Sequence, residues 1–343
     1  MDITLLKKDI KKRLEKSVGS KTFFLTRGED GKYNEYLANI DHDKDEHKIR
    51  NLFAKYLMDR VVNNEDLILK PLTEADHDKD CIYKYDYDKS LQVIQMLTTF
   101  EQNHNNSLDE IQFNSKELRN LFGYILYIGS EDGALVLFKK HRSYDKLSSN
   151  AKLTLKLNKN NVKLVEEDLL RISGSSDFIF INDELYILNY SVLLDSFDDF
   201  VDLLMKDAKE FVGKLESLEI IADTDKIKEI LDHDIMQYSD LNKRSKKIKE
   251  KKRYAKKLSA LLRSSPVIQG NIAATEIIQF TKEHDAYKNK FKYSEDNKIK
   301  LKSKKDVQEF LQLLTDDVVK SELTHKQYQV RAKKELKKNL SSL

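Results

Sequence analysis

Several sets of residues have the types that chemistry needs, and their spacing decides what each can do. Asp41-His42-Asp43-Lys44-Asp45 recurs as Asp76-His77-Asp78-Lys79-Asp80. Carboxylates one residue apart open the calcium loop of an EF-hand, which then needs glycine at its sixth position and glutamate at its twelfth. The first copy has Glu46 and Leu52 there and the second Cys81 and Tyr87, so both read as acidic, solvated loops. Their flanks do not match, and no structural repeat follows. Asp177, Asp183 and Glu184 together suggest a metal-dependent nuclease. Such a site needs carboxylates converging on a metal and a lysine two residues after the second acid, where this chain has Tyr186. Asp183 reads better as a turn residue. Cys81, the one cysteine, has acidic neighbours that would raise its thiol pKa, and none of the nine glycines falls in a phosphate-loop or dinucleotide spacing. The sequence therefore predicts no catalytic residue, no metal site, no cofactor, and a protein that is not an enzyme.

The strongest signal is a run of positive charge. Between Tyr238 and Arg263 there are eleven basic residues: Lys243, Arg244, Lys246, Lys247, Lys249, Lys251, Lys252, Arg253, Lys256, Lys257 and Arg263. Asp240 and Glu250 are the only acids among them, so the segment carries +9 in a chain whose formal total is +3. As a helix it would extend about 39 Å at 1.5 Å per residue, comparable to one turn of duplex DNA. Its apolar stripe is narrow: Leu241, Ile248, Ala255 and Leu262 recur every seven residues, widened at the end by Leu258 and Leu261. Most charge runs are solvated faces of mixed sign, and this one is poorly mixed, so repulsion along the helix favours an anionic partner. Lysine outnumbers arginine, which suits point contacts with phosphates over paired hydrogen bonds to guanine. The expected partner is DNA, bound with little dependence on sequence, through Lys243, Arg244, Lys246, Lys247, Lys249, Lys251, Lys252, Arg253, Lys256 and Lys257. An acidic protein or an anionic membrane surface would satisfy the same charges, and the stripe would also serve a dimer seam.

Secondary clusters point the same way. Residues 1 to 21 hold seven basic groups against three acidic, and residues 320 to 340 hold seven against two. Lys290, Lys292, Lys298, Lys300 and Lys302 alternate with apolar residues across a short hairpin, which puts the lysines on one outer face.

The elements that position these groups follow from periodicity. Ile49, Leu52, Phe53, Tyr56, Leu57 and Val61 form one helical stripe within residues 43 to 62. Strands are expected at Cys81 to Asp88, Gly123 to Ile128, Ala134 to Phe138, Lys152 to Leu157, Phe178 to Ile181 and Leu185 to Leu188. Turn residues Ser130-Glu131-Asp132-Gly133 and Asn182-Asp183 make hairpins of two of these pairs. From Ser191 the period becomes helical, with Leu194, Phe197, Val201, Leu204, Ala208, Phe211 and Val212 on a face able to cover the sheet. Further helices are expected at Asp225 to Met236, Leu241 to Leu262, Asp306 to Lys320 and Lys326 to Lys338. The fold class is α+β: a mainly antiparallel sheet covered by helices, then a mostly helical basic part with a short hairpin. The expected domains are 1–215 and 216–343.

With 40 % apolar and 35 % charged residues the chain can bury a core beneath an unusually charged surface. A lone cysteine, an N-terminus that alternates leucine with lysine, and the absence of a long apolar run together suggest a cytoplasmic protein.

Several segments together resemble the KwaB family of the bacterial Kiwa defence system. The most distinctive is Phe310-Leu311-Gln312-Leu313-Leu314-Thr315-Asp316-Asp317-Val318-Val319-Lys320-Ser321-Glu322-Leu323-Thr324, followed by Tyr328 and Lys333-Lys334. Cys81-Ile82-Tyr83-Lys84-Tyr85-Asp86, the strand pair from Tyr124 to Phe138, and Asp177 to Ile181 with Tyr186-Ile187-Leu188 fit the family's layout in order. The resemblance covers roughly residues 75 to 335. It implies an anti-phage effector that binds DNA without strong sequence preference and obstructs phage replication or expression. It also implies a KwaA-like membrane protein as partner, hence recruitment to the inner face of the membrane. The expected assembly of the DNA-binding effector is a homo-oligomer, a dimer being favoured. The resemblance carries over no catalytic residue. Asp316 and Asp317 read as capping residues at a helix end.

Overall fold

The computed structural model describes residues 2–28, 32–38, 43–75, 80–103, 120–142, 146–147, 154–158, 161–165, 169–232, 241–284, 287–314, 318–320 and 327–329. The chain forms two units, Met1–Phe197 and Asp198–Leu343.

The first unit is built on an eight-stranded sheet. In chain order its elements are α1 (Ile3–Glu15), β1 (Ser17–Arg27), β2 (Tyr33–Leu37), α2 (Asp43–Leu57, running into a π-helical turn Met58–Val62), β3 (Ile68–Pro71), β4 (Cys81–Lys84) and α3 (Gln92–Asn103). There follow β5 (Leu121–Ser130), β6 (Leu135–Lys140), β7 (Lys146–Leu147), β8 (Thr154–Asn158), β9 (Asn161–Val165), β10 (Leu169–Leu170), β11 (Phe178–Ile181), β12 (Glu184–Ile187) and α4 (Tyr190–Ser196). The sheet order is β2-β1-β5-β6-β11-β12-β4-β3, antiparallel throughout except for the β3–β4 pair at one edge. β8 and β9 form a separate hairpin, and β7 pairs antiparallel with β10 in another two-stranded sheet.

β5 and β6 read as near-continuous apolar runs because both faces of the sheet are covered. On one face Leu6 and Ile10 of α1 and Phe53 and Leu57 of α2 pack on Tyr124, Leu126, Leu135, Leu137 and Ile179. On the other, the Phe100 ring of α3 meets the Phe23 ring edge-on at 4.4 Å, and Phe122, Phe138 and Phe178 surround Phe197. The expected hairpins are present. Ile128 faces Leu135 across the Ser130–Gly133 turn, and Asn182 and Asp183 both take positive φ, 55° and 59°, as a two-residue turn requires. Leu52, expected inside, is 45 % exposed yet lies against Gly174, where a β-carbon would come within 2.4 Å of its side chain.

The long helix expected from Ser191 is two helices. Phe197 adopts extended geometry (φ −121°, ψ 102°), which ends α4 and sends its ring into the aromatic cluster. Asp199 then accepts the Phe200 N–H at 3.0 Å to start α5 (Asp198–Ser217), which belongs to the second unit.

The second unit contains α5, α6 (Asp225–Leu231), α7 (Leu241–Ser264), α8 (Ala274–Glu283), the hairpin β13 (Lys292–Tyr293) and β14 (Ile299–Lys300), and α9 (Lys304–Leu313). Phe200, Leu204, Phe211, Ile227, Leu258, Leu261, Ile299 and Phe310 are among its buried residues. The hairpin is tied in by backbone bonds from Ile299 to Ile220 and from Ala222 to Ile299. Ser303 and Asp306 form a reciprocal capping box at the start of α9. The chain's end departs from expectation. α9 stops at Leu313, and β15 (Val318–Lys320) pairs antiparallel with β16 (Gln327–Gln329), where helices had been expected across 306–320 and 326–338. Val318-Val319 and Tyr328 are residue types that favour a pleated strand. Among the described residues no helix is long and apolar enough to cross a membrane.

Candidate nucleic-acid interface

α7 has 24 residues and so is about 36 Å long. Which of its charges reach solvent is set by its inner side. Tyr254, Ala255, Leu258, Ser259, Leu261 and Leu262 are buried, and the Asp207 carboxylate of α5 accepts Ser259 Oγ at 2.6 Å and Arg263 Nη1 at 2.7 Å. Arg263 therefore holds the helix in place, which lowers the outward charge from the count read along the chain.

The ten expected contact residues divide accordingly. Lys246, Lys249 and Arg253 are exposed and, at spacings of three and four, form one stripe. Lys251, Lys252 and Lys257 are half-buried. Lys247 is half-buried and its Nζ lies 3.3 Å from Glu250. Lys256 is only 8 % exposed, with its Nζ enclosed, so it does not present a charge to an outside anion in this arrangement. It falls on the same face as Ser259, which periodicity could have shown had the stripe been drawn through polar residues. The side chains of Lys243 and Arg244 lie outside the described residues.

Glu250, the acid within α7, is neutralised. Lys304 Nζ of α9 donates to both its oxygens at 2.9 and 3.0 Å. Burial works against its charge, but the bonds from Lys304 and Lys247 outweigh it and hold the carboxyl below the usual range. Lys304 is correspondingly raised, chiefly by its bond to Glu250. The pairing spans 54 positions along the chain and left no mark in the local pattern.

The hairpin lysines behave as their alternation predicts: Lys290, Lys292 and Lys302 are exposed, Lys298 and Lys300 half-buried, and Phe291, Ile299 and Leu301 buried. Lys292 stands opposite Lys300 in register, a like-charged cross-strand pair that an anion would relieve. Lys290 and Lys298 are paired to Glu309 and Glu219. Near the N-terminus, Lys12 and Lys16 pair with Asp132, and Arg13 is buried with its Nε donating to the Ala134 carbonyl at 3.1 Å. That part of the N-terminal charge serves the fold of the first unit.

The acids weighed as a nuclease site sit in different settings. Asp177 is buried and accepts Lys139 Nζ at 3.1 Å, the Lys140 N–H at 2.8 Å and Asn189 Nδ2 at 2.9 Å. Asp183 occupies the β11–β12 turn, and Glu184 accepts from Lys84 and from the Tyr186 hydroxyl. Beside Asp177, burial and the Arg27 charge push the Lys140 ammonium down to about 8, with Asp177 opposing them. No group of three metal-ligating side chains occurs among the described residues. The second Asp-His-Asp copy lies largely outside the described residues, as do Asp316 and Asp317.

An antiparallel-rich sheet unit and a mostly helical unit that carries a long basic helix define an α+β protein. The chain belongs to the Kiwa protein KwaB-like family, whose model matches residues 118–324 and so takes in α7 and the lysine hairpin. It is 25 % identical over 334 residues to "Kiwa protein KwaB" of Escherichia coli O55:H7 (strain RM12579 / EPEC), a match covering 96 % of this chain and 98 % of that protein. No solved structure matches the chain. Family membership carries with it a role in Kiwa anti-phage defence.

Proposed function

We propose that this protein is a non-catalytic effector of anti-phage defence that binds DNA with little sequence preference through α7. In this reading it obstructs phage replication or expression and works in the cytoplasm, as a dimer, with a KwaA-like membrane partner. The observation that carries the reading is the solvent stripe Lys246–Lys249–Arg253, on a helix whose internal acid Glu250 is cancelled by Lys304. Three cations along one face of a helix suit contact with the phosphates of a duplex, and lysine-dominated contacts fix position without reading bases. Lys292 and Lys300 of the hairpin add charge of the same sign.

The test is an anisotropy titration of two labelled duplexes of unrelated sequence at low and at physiological salt. The expected result is similar affinity for both, with a steep loss on adding salt. Vesicles of anionic lipid that bind in place of DNA, or an absence of duplex binding at low salt, would assign α7 to a membrane or an acidic protein instead.

A further inference from the structure

The second unit contains a cavity of about 260 Å³ that none of the charged elements explains. Its walls are Val267, Ile277, Phe280, Leu313 and Leu314, with Pro266 and Ile272 beside them. A dry apolar cavity of about 150 Å³ is enough to hold benzene, so this one has room for a ring and a short arm. One charged group lines it, Glu276, in the first turn of α8 and exposed. In a unit where Glu219, Glu250 and Glu309 are each ion-paired to a lysine, Glu276 has no lysine or arginine across from it among the described residues.

We propose that this cavity is a binding site for a small organic cation with an apolar body, the body filling the space between α8 and the end of α9 and the charged head meeting Glu276. Charge complementarity selects the cation. The unit as a whole is basic and would draw an anionic ligand by long-range attraction, so a preference for a cation here must come from Glu276 itself. The apolar walls supply affinity and the single carboxylate sets orientation, the usual division of labour in a small-molecule site.

The experiment is ligand-observed NMR and calorimetry on the full chain with three probes of matched shape: 2-phenylethylammonium, 2-phenylethanol and phenylacetate. The expected order is ammonium above alcohol above carboxylate, the extremes differing by about tenfold, which is what one exposed charge acting with opposite sign on the two probes allows. Glu276→Gln should collapse that difference while the alcohol binds as before. Ile272→Trp, at a half-buried wall position, should block all three with the melting transition retained. No binding by any probe, phenylacetate binding as tightly as the ammonium, or unchanged binding in Ile272→Trp would each overturn the proposal. So would selective capture of an arginine-containing apolar peptide that the ammonium cannot displace, which would make the cavity a protein-docking site.

Discussion

Arg263 of the basic helix and Asp207 of α5 meet at 2.7 Å, and Ser259 adds its hydroxyl to the same carboxylate oxygen. This contact sets which side of α7 faces inward, and it converts one of the eleven cations of the run into a structural group. Asp207→Asn should cost about 2 kcal/mol, since the charged hydrogen bond from the part-exposed Arg263 is weakened and the buried Ser259 hydroxyl loses its anionic acceptor. Ser259→Ala should cost about 1 kcal/mol. Urea unfolding of both variants checks the ranking, and equal effects would contradict it.

Two glycines should respond to alanine with opposite sign. At Gly174 a new β-carbon would lie 2.4 Å from Leu52 Cγ and 2.8 Å from the Leu52 carbonyl oxygen, so Gly174→Ala should destabilise by about 1 to 3 kcal/mol. Gly213 sits within α5 with open space around it, so Gly213→Ala should stabilise by about 0.5 to 1 kcal/mol. Thermal melts of the two variants decide the matter.

How much of this was legible beforehand depends on how local each cause is. The Asn182-Asp183 turn, the β5–β6 hairpin and the lysine alternation of β13–β14 were readable because turn chemistry and period act over a few residues. The break at Phe197 was not, because the helical period continues through it and only an aromatic cluster assembled from Phe122, Phe138 and Phe178 draws the ring away. The inward placement of Lys256 and the Glu250–Lys304 bond were hidden for the same reason: both depend on residues far along the chain. The N-terminal elements α1 and β1 went unread because their lysines masked a buried set of Leu6, Ile10, Phe23, Phe24 and Leu25.

Lys140 gives the first unit a defined pH response. Its ammonium titrates near 8 in the folded chain against 10.5 ordinarily. Between those values the unfolded chain holds a proton that the folded chain lacks, so stability from this group rises with pH across that window. Lys140→Met should flatten the rise, measured as the urea midpoint from pH 7.5 to 10. A rise of the same size in the variant would contradict the assignment.

Removing the acid inside the basic helix should strengthen DNA binding. Glu250→Gln releases Lys247 and Lys304, and each freed cation that reaches a phosphate steepens the salt slope by about one unit. Salt titrations at constant temperature read this out, and a weaker or unchanged slope would mean the two lysines face away from the DNA.

The central claim is that α7 meets phosphates with its outward stripe, and one comparison tests it most directly. Anisotropy titrations of a labelled duplex across a salt series would compare the unsubstituted chain with Lys246→Gln/Lys249→Gln/Arg253→Gln and with Lys256→Gln. The account predicts that the triple variant loses about three units of slope while its melting transition holds, and that Lys256→Gln keeps the full slope. Equal slopes in all three proteins, or loss in Lys256→Gln alone, would contradict it.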